Sequence, residues 1–185
     1  LYAEDPAAGW QPQSGRLHRF EVPGVTAELE VPAGVPSGLR LDAGVVSGLD
    51  VSIHYDPMLA KVIAHAPTRA EATDLLAWAL ERAVVAGVVT NREHLVKILA
   101  HEAFLEGALD THFLERFAGE LAARNPGLDR VRVAVVGAVL AGISARRESS
   151  PLAGIGWRNV RHMDQQVTYA LGDADVQVGY RPAGD

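Results

Sequence analysis

The chain has 185 residues, of which 48% are hydrophobic and 22% are charged, a composition typical of a globular protein with a buried core. This length accommodates one domain, or one domain and part of another. The net charge of -6 argues against a surface that binds nucleic acid or membrane phosphates. Because the chain contains no cysteine, disulfides, thiolate metal sites and a cysteine nucleophile are excluded.

Both ends of the sequence have the pattern of an interrupted element. Leu1-Tyr2-Ala3 reads as the end of a strand that is already under way. The last predicted element is a single hairpin over residues 166–171 and 176–180, whose edges would be unpaired. No signal peptide is visible, and the longest apolar run, residues 133–143, is too short to span a bilayer. We therefore expect a fragment of a longer polypeptide.

The first third of the chain predicts a small antiparallel sheet. Residues 4–15 are rich in proline, glycine and polar side chains, which predicts a loop. Alternating apolar and polar residues, or short runs between turn residues, then predict strands. The predicted segments are a strand over 16–22, a strand-bearing insertion over 25–38, and strands over 39–43, 50–55 and 58–66.

The segment from Tyr55 to Lys61 is the most informative stretch of this sheet. Asp56 and Pro57 separate two predicted strands, which predicts a tight hairpin between 50–55 and 58–66. An aromatic hydroxyl, a carboxylate and an ammonium would then lie near one bend. Such a trio can hold a polar ligand or lock a turn. The residues favour the second use, because a turn aspartate usually bonds its own backbone.

Helices follow the sheet. The capping boxes Thr68-Arg69-Ala70-Glu71 and Thr90-Asn91-Arg92-Glu93 predict two helix starts, and Gly87 is the predicted end of the first helix. A third helix is predicted around Phe113. A sheet followed by helices indicates an α+β domain over residues 1–117.

The remainder predicts a second, incomplete domain. Residues 118–128 contain Asn125-Pro126-Gly127 and are assigned to a linker. A long helix over 129–147 follows, and its apolar middle predicts burial or a covering partner. The terminal hairpin completes a partial domain over 129–185.

No complete catalytic set is present in the sequence. There is no H-E-x-x-H pair, phosphate-binding loop, G-x-G-x-x-G fingerprint or G-x-S-x-G elbow. His94 and His101 are interpreted as helix-surface residues, and no metal site is predicted. Trp157 and Arg158 have two open interpretations, contact with a partner or an anchor at a domain seam.

Four motifs nevertheless resemble the C-terminal domain of biotin carboxylase, as found in the α subunits of biotin-dependent acyl-CoA carboxylases. The likeness covers residues 1–117, and all four motifs occur in the family's order and spacing. They are Ala3-Glu4-Asp5-Pro6, Leu39-Arg40-Leu41-Asp42-Ala43-Gly44, Tyr55-Asp56-Pro57-Met58-Leu59-Ala60-Lys61, and Thr90-Asn91 before His94-Leu95. Residues 129–185 resemble the start of the linking domain of propionyl- and methylcrotonyl-type enzymes, a long helix followed by an antiparallel β-barrel.

The resemblance implies an ATP-dependent ligase. ATP, Mg²⁺ and bicarbonate would serve to carboxylate biotin on a carrier domain, and a carboxyltransferase β subunit would pass the carboxyl group to an acyl-CoA. The ATP and metal sites would lie upstream of this chain, so the fragment alone would be inactive. The implied location is the cytoplasm, or the mitochondrial matrix in a eukaryote, with no nucleic-acid or membrane partner.

The resemblance also assigns residues. The family's catalytic arginine directly precedes the position of Leu1, so no catalytic residue is complete here. Tyr55, Asp56 and Lys61 would form the biotin-side wall. Arg40, Trp157 and Arg158 would lie at subunit interfaces.

Two departures and two alternatives accompany these assignments. The insertion at 25–36 puts the interface role of Arg40 in question, and His94 stands where the family often has phenylalanine. The alternatives are a non-catalytic docking module for a carboxyltransferase subunit and a fragment of pyruvate carboxylase. The pattern Gly156-Trp157-Arg158-Asn159 disfavours pyruvate carboxylase.

Overall fold

A computed structural model of the chain describes residues 1–30, 34, 37–122, 128–149, 164–171 and 174–181. By compactness the chain divides into two units, Leu1–Ala123 and Arg124–Asp185. The sequence-based division into 1–117, 118–128 and 129–185 stays a prediction.

Unit 1 combines short strands with helices, as an α+β fold requires. The strands of its described part are β1 (Glu4–Asp5), β2 (Gln11–Pro12), β3 (Gly15–Arg16), β4 (Arg19–Glu21), β5 (Val25–Glu28), β6 (Gly38–Ala43), β7 (Asp50–Val51), β8 (Ala60–His65) and β9 (Val84–Ala86). They form three strand pairs, β1–β2, β3–β7 and β4–β9, and one three-stranded sheet in the order β5–β6–β8. A short 3-10 helix, Pro6–Ala8, follows the first strand.

The three-stranded sheet contains the clearest predicted strand. β6 pairs antiparallel with β8 over its whole length, and its inward side chains Leu39 and Leu41 are buried. β5, from the predicted insertion, runs parallel to β6, which corrects the expectation of a purely antiparallel sheet. A side chain joins these two strands, because the Thr26 hydroxyl donates to the Leu39 carbonyl at 2.9 Å and accepts from the Leu39 amide at 3.1 Å. Gly38 permits this approach, because a Cβ there would lie 2.6 Å from Thr26 Oγ1.

The predicted hairpin between 50–55 and 58–66 is wrong. β7 stops at Val51 and pairs with β3, whereas β8 pairs with β6. Side chains turn the intervening backbone twice, because Ser52 Oγ accepts from the His54 amide at 3.1 Å and Asp56 Oδ1 accepts from the Met58 amide at 2.8 Å. These local bonds replace the ladder that a hairpin would need.

The described helices of unit 1 are α1 (Arg69–Arg82), α2 (Arg92–Ala100), α3 (Glu102–Leu105), α4 (Phe113–Arg116) and α5 (Ala118–Leu121). The first cap is confirmed, since Thr68 Oγ1 accepts from the Glu71 amide at 3.2 Å. The predicted end at Gly87 is wrong, because α1 ends at Arg82 and the next residues form β9 against β4. Gly87 instead admits the Arg16 carbonyl, with which a Cβ would overlap. α4 confirms the helix around Phe113, and α3 and α5 were not predicted.

The second predicted capping box is also wrong, although its helix is present. Asn91 is the N-cap of α2 and makes no side-chain bond to its own helix. Thr90 Oγ1 accepts from the Arg92 amide at 3.4 Å. The Asn91 side chain is engaged elsewhere, as described below.

The hydrophobic core of unit 1 lies between the sheet segments and α2. Its buried members come from four separate parts of the sequence, so the core depends on long-range pairing. They are Leu1, Leu17, Phe20, Leu41 and Ala60, with Leu95 of α2 packed against them.

Unit 2 consists, in its described part, of one long helix and one hairpin. α6 (Leu128–Ser149) confirms the predicted helix, and β10 (Gln165–Leu171) pairs antiparallel with β11 (Ala174–Tyr180) as predicted. Tyr180 Oη accepts from Arg146 Nη2 at 2.7 Å and donates to Gln165 Oε1 at 2.6 Å, which joins helix and hairpin. Beyond this hairpin, the described residues form no barrel. Over the same residues, no helix meets the length and apolarity needed to cross a membrane.

We predict that Leu39→Ala lowers the free energy of unfolding by about 2–5 kcal/mol, because it removes a fully buried side chain and leaves a cavity. Urea unfolding of the chain measures this loss. Leu114→Ala is the matched control, since Leu114 is 51% exposed on α4. Equal losses in the two variants would contradict the placement of β6 in the core.

Candidate functional site

The first three residues of the chain dock against the segment from Pro57 to Ala60. The Leu1 nitrogen donates to the Ala60 carbonyl at 2.8 Å, and the Leu1 carbonyl accepts from the Leu59 amide at 2.9 Å. The Ala3 amide donates to the Pro57 carbonyl at 2.8 Å. Residues 1–3 therefore pair antiparallel, through a single bridge between Tyr2 and Met58, with the very stretch that the sequence singled out.

This stretch has a buried half and an exposed half. Leu59 and Ala60 are buried beside Leu1 and Ala3. The loop immediately before them is exposed, and Tyr55 at its tip is 84% exposed. The buried half anchors the loop, while the exposed half offers an aromatic ring to solvent.

The members of the predicted trio of Tyr55, Asp56 and Lys61 have different surroundings in the structure. The Asp56 carboxylate bonds the Met58 amide within its own turn, which is the turn-locking alternative. Lys61 lies on β8 in register with Asp42 of β6. All three residues are exposed, and Tyr55 lies at the loop tip, where its side chain is 84% exposed.

Arg40 and Asp42 form a bidentate ion pair on the outer face of β6. Arg40 Nε and Nη2 donate to the two Asp42 carboxylate oxygens, both at 2.7 Å. These hydrogen bonds lower the pKa of Asp42 below its usual 3.8, and partial burial opposes that shift. The Arg40 charge, a backbone bond from Leu29 and the charge of Lys61 lower the same pKa further. Arg40, predicted at an interface, thus has a partner within its own strand.

Other predicted site residues remain untested. Trp157 and Arg158 lie outside the described residues. The interface role of Arg40 stays a prediction.

Asn91 is the residue that sequence reasoning missed. Its Oδ1 accepts from the Tyr2 amide at 2.9 Å, its own amide donates to the Tyr2 carbonyl at 3.2 Å, and the residue is 7% exposed. The signal in the sequence was the adjacent pair Thr90-Asn91. Both are capping residues, and a helix start needs only one of them.

Residues further along α2 contact the C-terminal end of unit 1. His94 Nδ1 lies 3.1 Å from the Leu121 carbonyl, and Lys97 Nζ donates to the Ala122 carbonyl. Because a carbonyl only accepts, this contact places the His94 proton on Nδ1. The Trp10 ring meets His94 edge-on at 4.8 Å.

The interpretation of His94 and His101 as helix-surface residues is wrong. His94 Nε2 is buried. The His101 ring lies 4.2 Å from Phe117 and 5.5 Å from Phe113, and its side chain is 13% exposed. The spacing of the two histidines did not reveal the short helices α4 and α5 that cover this face.

The described residues offer no metal centre. Nowhere among them do three or more His, Cys, Asp or Glu side chains gather as a metal site would require. The residues described here therefore supply no ready-made cluster of metal ligands.

Comparison with known proteins shows which protein family the chain belongs to. Residues 1–116 match the biotin carboxylase C-terminal domain family, and this match covers more than half of the chain. The chain belongs to that family, which confirms the resemblance found in its four motifs.

Two curated relatives identify the kind of subunit. The chain is 36% identical over 121 residues to the mitochondrial methylcrotonoyl-CoA carboxylase subunit alpha of Oryza sativa subsp. japonica, covering 65% of this chain and 15% of the relative. It is 34% identical over 152 residues to the propionyl-CoA carboxylase alpha chain of Ruegeria pomeroyi, covering 76% and 22%. The chain thus spans less than a quarter of the length of either relative.

Solved structures share the fold of unit 1. The biotin carboxylase subunit of a pyruvate carboxylase has a TM-score of 0.58 at 30% identity, covering 67% of this chain and 25% of that one. The biotin carboxylase domain of Hydrogenobacter thermophilus 2-oxoglutarate carboxylase, in complex with MgADP, ADP and bicarbonate, has a TM-score of 0.56 at 29% identity, with the same coverage.

We predict that the Arg40–Asp42 pair makes the free energy of unfolding fall at low pH. Because the folded-state pKa of Asp42 is lowered, its contribution is present above the unfolded value of 3.8 and is lost as pH falls through the folded value. Asp42→Asn should therefore flatten the decline of unfolding free energy below about pH 4. Denaturation midpoints between about pH 2.5 and 6 measure this.

Asp74→Asn, on an exposed position of α1, is the control for a general change in net charge. It should leave the acid decline as steep as in the original chain. A decline in Asp42→Asn that matches the original chain would contradict a pairing of Asp42 with Arg40.

Proposed function

We propose that this chain belongs to the biotin carboxylase subunit, the α subunit, of an acyl-CoA carboxylase of the propionyl or methylcrotonyl type. It forms part of the biotin-side wall of the active site, within residues 1–117, and part of the subunit-assembly surface. The observation that carries this proposal is the docking of residues 1–3 against Pro57–Ala60. It holds the start of the family domain beside the loop that exposes Tyr55.

In this function the complete subunit carboxylates biotin on a carrier domain with ATP and bicarbonate. The family's catalytic arginine occupies the position directly before Leu1, and the ATP and Mg²⁺ sites lie further upstream. MgADP and bicarbonate in the H. thermophilus domain support this chemistry for the family. The chain's own contribution is to hold that arginine strand and to shape the adjacent loop. The fragment alone is inactive.

The residues of the wall have different roles. Asp56 shapes the loop, because its carboxylate is committed to the Met58 amide. Tyr55 offers its exposed ring to biotin or to the carrier domain. Lys61, in register with Asp42, contributes to the charged face of the sheet and less to the wall.

A second function, docking to a carboxyltransferase β subunit, is favoured by α6. Val133, Val136 and Leu140 follow one another at helical spacing and are 73%, 56% and 61% exposed. Such an apolar stripe suits a partner surface. Docking is compatible with the catalytic role, since unit 1 and unit 2 would carry the two tasks separately.

Two further proposals rest on the relatives. A pyruvate carboxylase fragment remains the alternative, because a pyruvate carboxylase subunit shares the fold of unit 1. The methylcrotonoyl- and propionyl-CoA relatives favour the acyl-CoA type. The cytoplasm, or the mitochondrial matrix in a eukaryote, is the proposed location, and the plant relative is named mitochondrial.

We predict that Tyr55→Ala in the complete subunit raises KM for free biotin about tenfold, because it removes an exposed aromatic contact. Tyr55→Phe, which keeps the ring, should stay within about twofold. Steady-state carboxylation of free biotin measures both variants. A KM unchanged by Tyr55→Ala would remove Tyr55 from the wall, whereas an original subunit that consumes no ATP with bicarbonate and biotin would refute the enzyme itself.

We also predict that deletion of residues 129–185 abolishes co-purification with the carboxyltransferase subunit while residues 1–117 stay folded. Val133→Asn with Leu140→Asn should weaken the same binding, because both place polar groups on the α6 stripe. Val46→Asn, at an exposed position of unit 1, is the control. Binding that survives the deletion would exclude docking through unit 2.

A further inference from the structure

We propose that Asn91 is a positioning residue for biotin carboxylation. It fixes the backbone of Tyr2 and thereby the course of the strand through Leu1. This inference rests on the proposed function, in which the strand carries the catalytic arginine directly before Leu1.

The hydrogen bonds of residues 1–3 divide between two supports. Leu1 and Ala3 bond the segment from Pro57 to Ala60 on one side. Tyr2, whose backbone groups point to the opposite side of an extended strand, bonds Asn91 with both its amide and its carbonyl. Without Asn91, Leu1 and Ala3 would still be held by the segment from Pro57 to Ala60, but the backbone of Tyr2 would be free to shift.

The side chain of Asn91 is committed to this task. Thr90, one position before the N-cap, accepts from the first amide of α2, that of Arg92, at 3.4 Å. Asn91 makes no cap bond of its own, although asparagine is a preferred capping residue. Its Oδ1 is directed across 89 positions of sequence to Tyr2.

The support behind Asn91 is firm. Arg92 Nη1 donates to the Ala83 carbonyl at 2.6 Å, and two further residues of α2, His94 and Lys97, bond the carbonyls at the C-terminal end of α5. At the C-terminal end of α2, the Leu99 side chain is buried. A group held on such an element places its partner more accurately than a loop would.

The test uses the complete subunit and two reactions. Asn91→Ala removes the acceptor for the Tyr2 amide and should lower kcat for free biotin carboxylation on the order of 10- to 100-fold, as expected for a misplaced reacting group. Bicarbonate-dependent ATP cleavage without biotin should change by less than about twofold, since that site lies upstream. Asn91→Asp, which keeps an acceptor oxygen, should restore most of the kcat.

Thr68→Ala is the control for stability, because it removes a helix cap away from the strand. It should lower the melting temperature and leave kcat unchanged. Amide hydrogen exchange gives the direct readout: exchange at Tyr2 should be slow in the original subunit and in Asn91→Asp, and fast in Asn91→Ala.

An original subunit that carboxylates biotin, together with an Asn91→Ala variant of unchanged kcat, would overturn the positioning role and leave Asn91 a structural brace. An original subunit that is inactive would instead refute the proposed function. Should Asn91→Ala not fold, Asn91→Ser is judged by the same criteria, because its shorter side chain does not reach Tyr2.

Discussion

The backbone pairing of residues 1–3 is the constraint on which unit 1 depends. These three residues lie between the segment 57–60 on one side and Asn91 on the other. Partners 59 and 89 positions apart are thereby brought to one strand. Leu1 itself belongs to the core, so the pairing and the core form together. The short strands of unit 1 pack around a core to which this segment contributes Leu1.

In unit 1, hydrogen bonds between backbone groups and side-chain oxygens take the place of some of the backbone hydrogen bonds that join long strands in larger sheets. Thr26 takes both ladder positions opposite Leu39, and Ser47 Oγ accepts from the Phe20 amide at 2.9 Å. Asp56 and Asn91 do the same at the loop and at Tyr2. The result is a fold with abrupt changes of direction, and it is such a change that leaves the ring of Tyr55 exposed beside a buried strand.

These side-chain bonds also explain what the sequence predicts and what it does not. Two local signals are confirmed: the Thr68 cap and the alternation over 39–43 depend on neighbours a few positions away, and both are present in the structure. The alternation over 50–55 is equally clear, yet its partner is chosen by distant residues and by the turn bonds of Ser52 and Asp56. The motif around Tyr55 located the site, but the different tasks of Asp56 and Lys61 depend on contacts that no spacing encodes. Asn91 was assigned to its nearest helix, since its bond to Tyr2 crosses most of the unit.

Residues near the beginning and near the end of unit 1 both contact α2. Asn91 binds Tyr2 at one limit, and His94, about 5 Å further along the axis, binds Leu121 at the other. A module whose two limits meet at one helix can be inserted into a longer polypeptide without spreading the flanking chain apart.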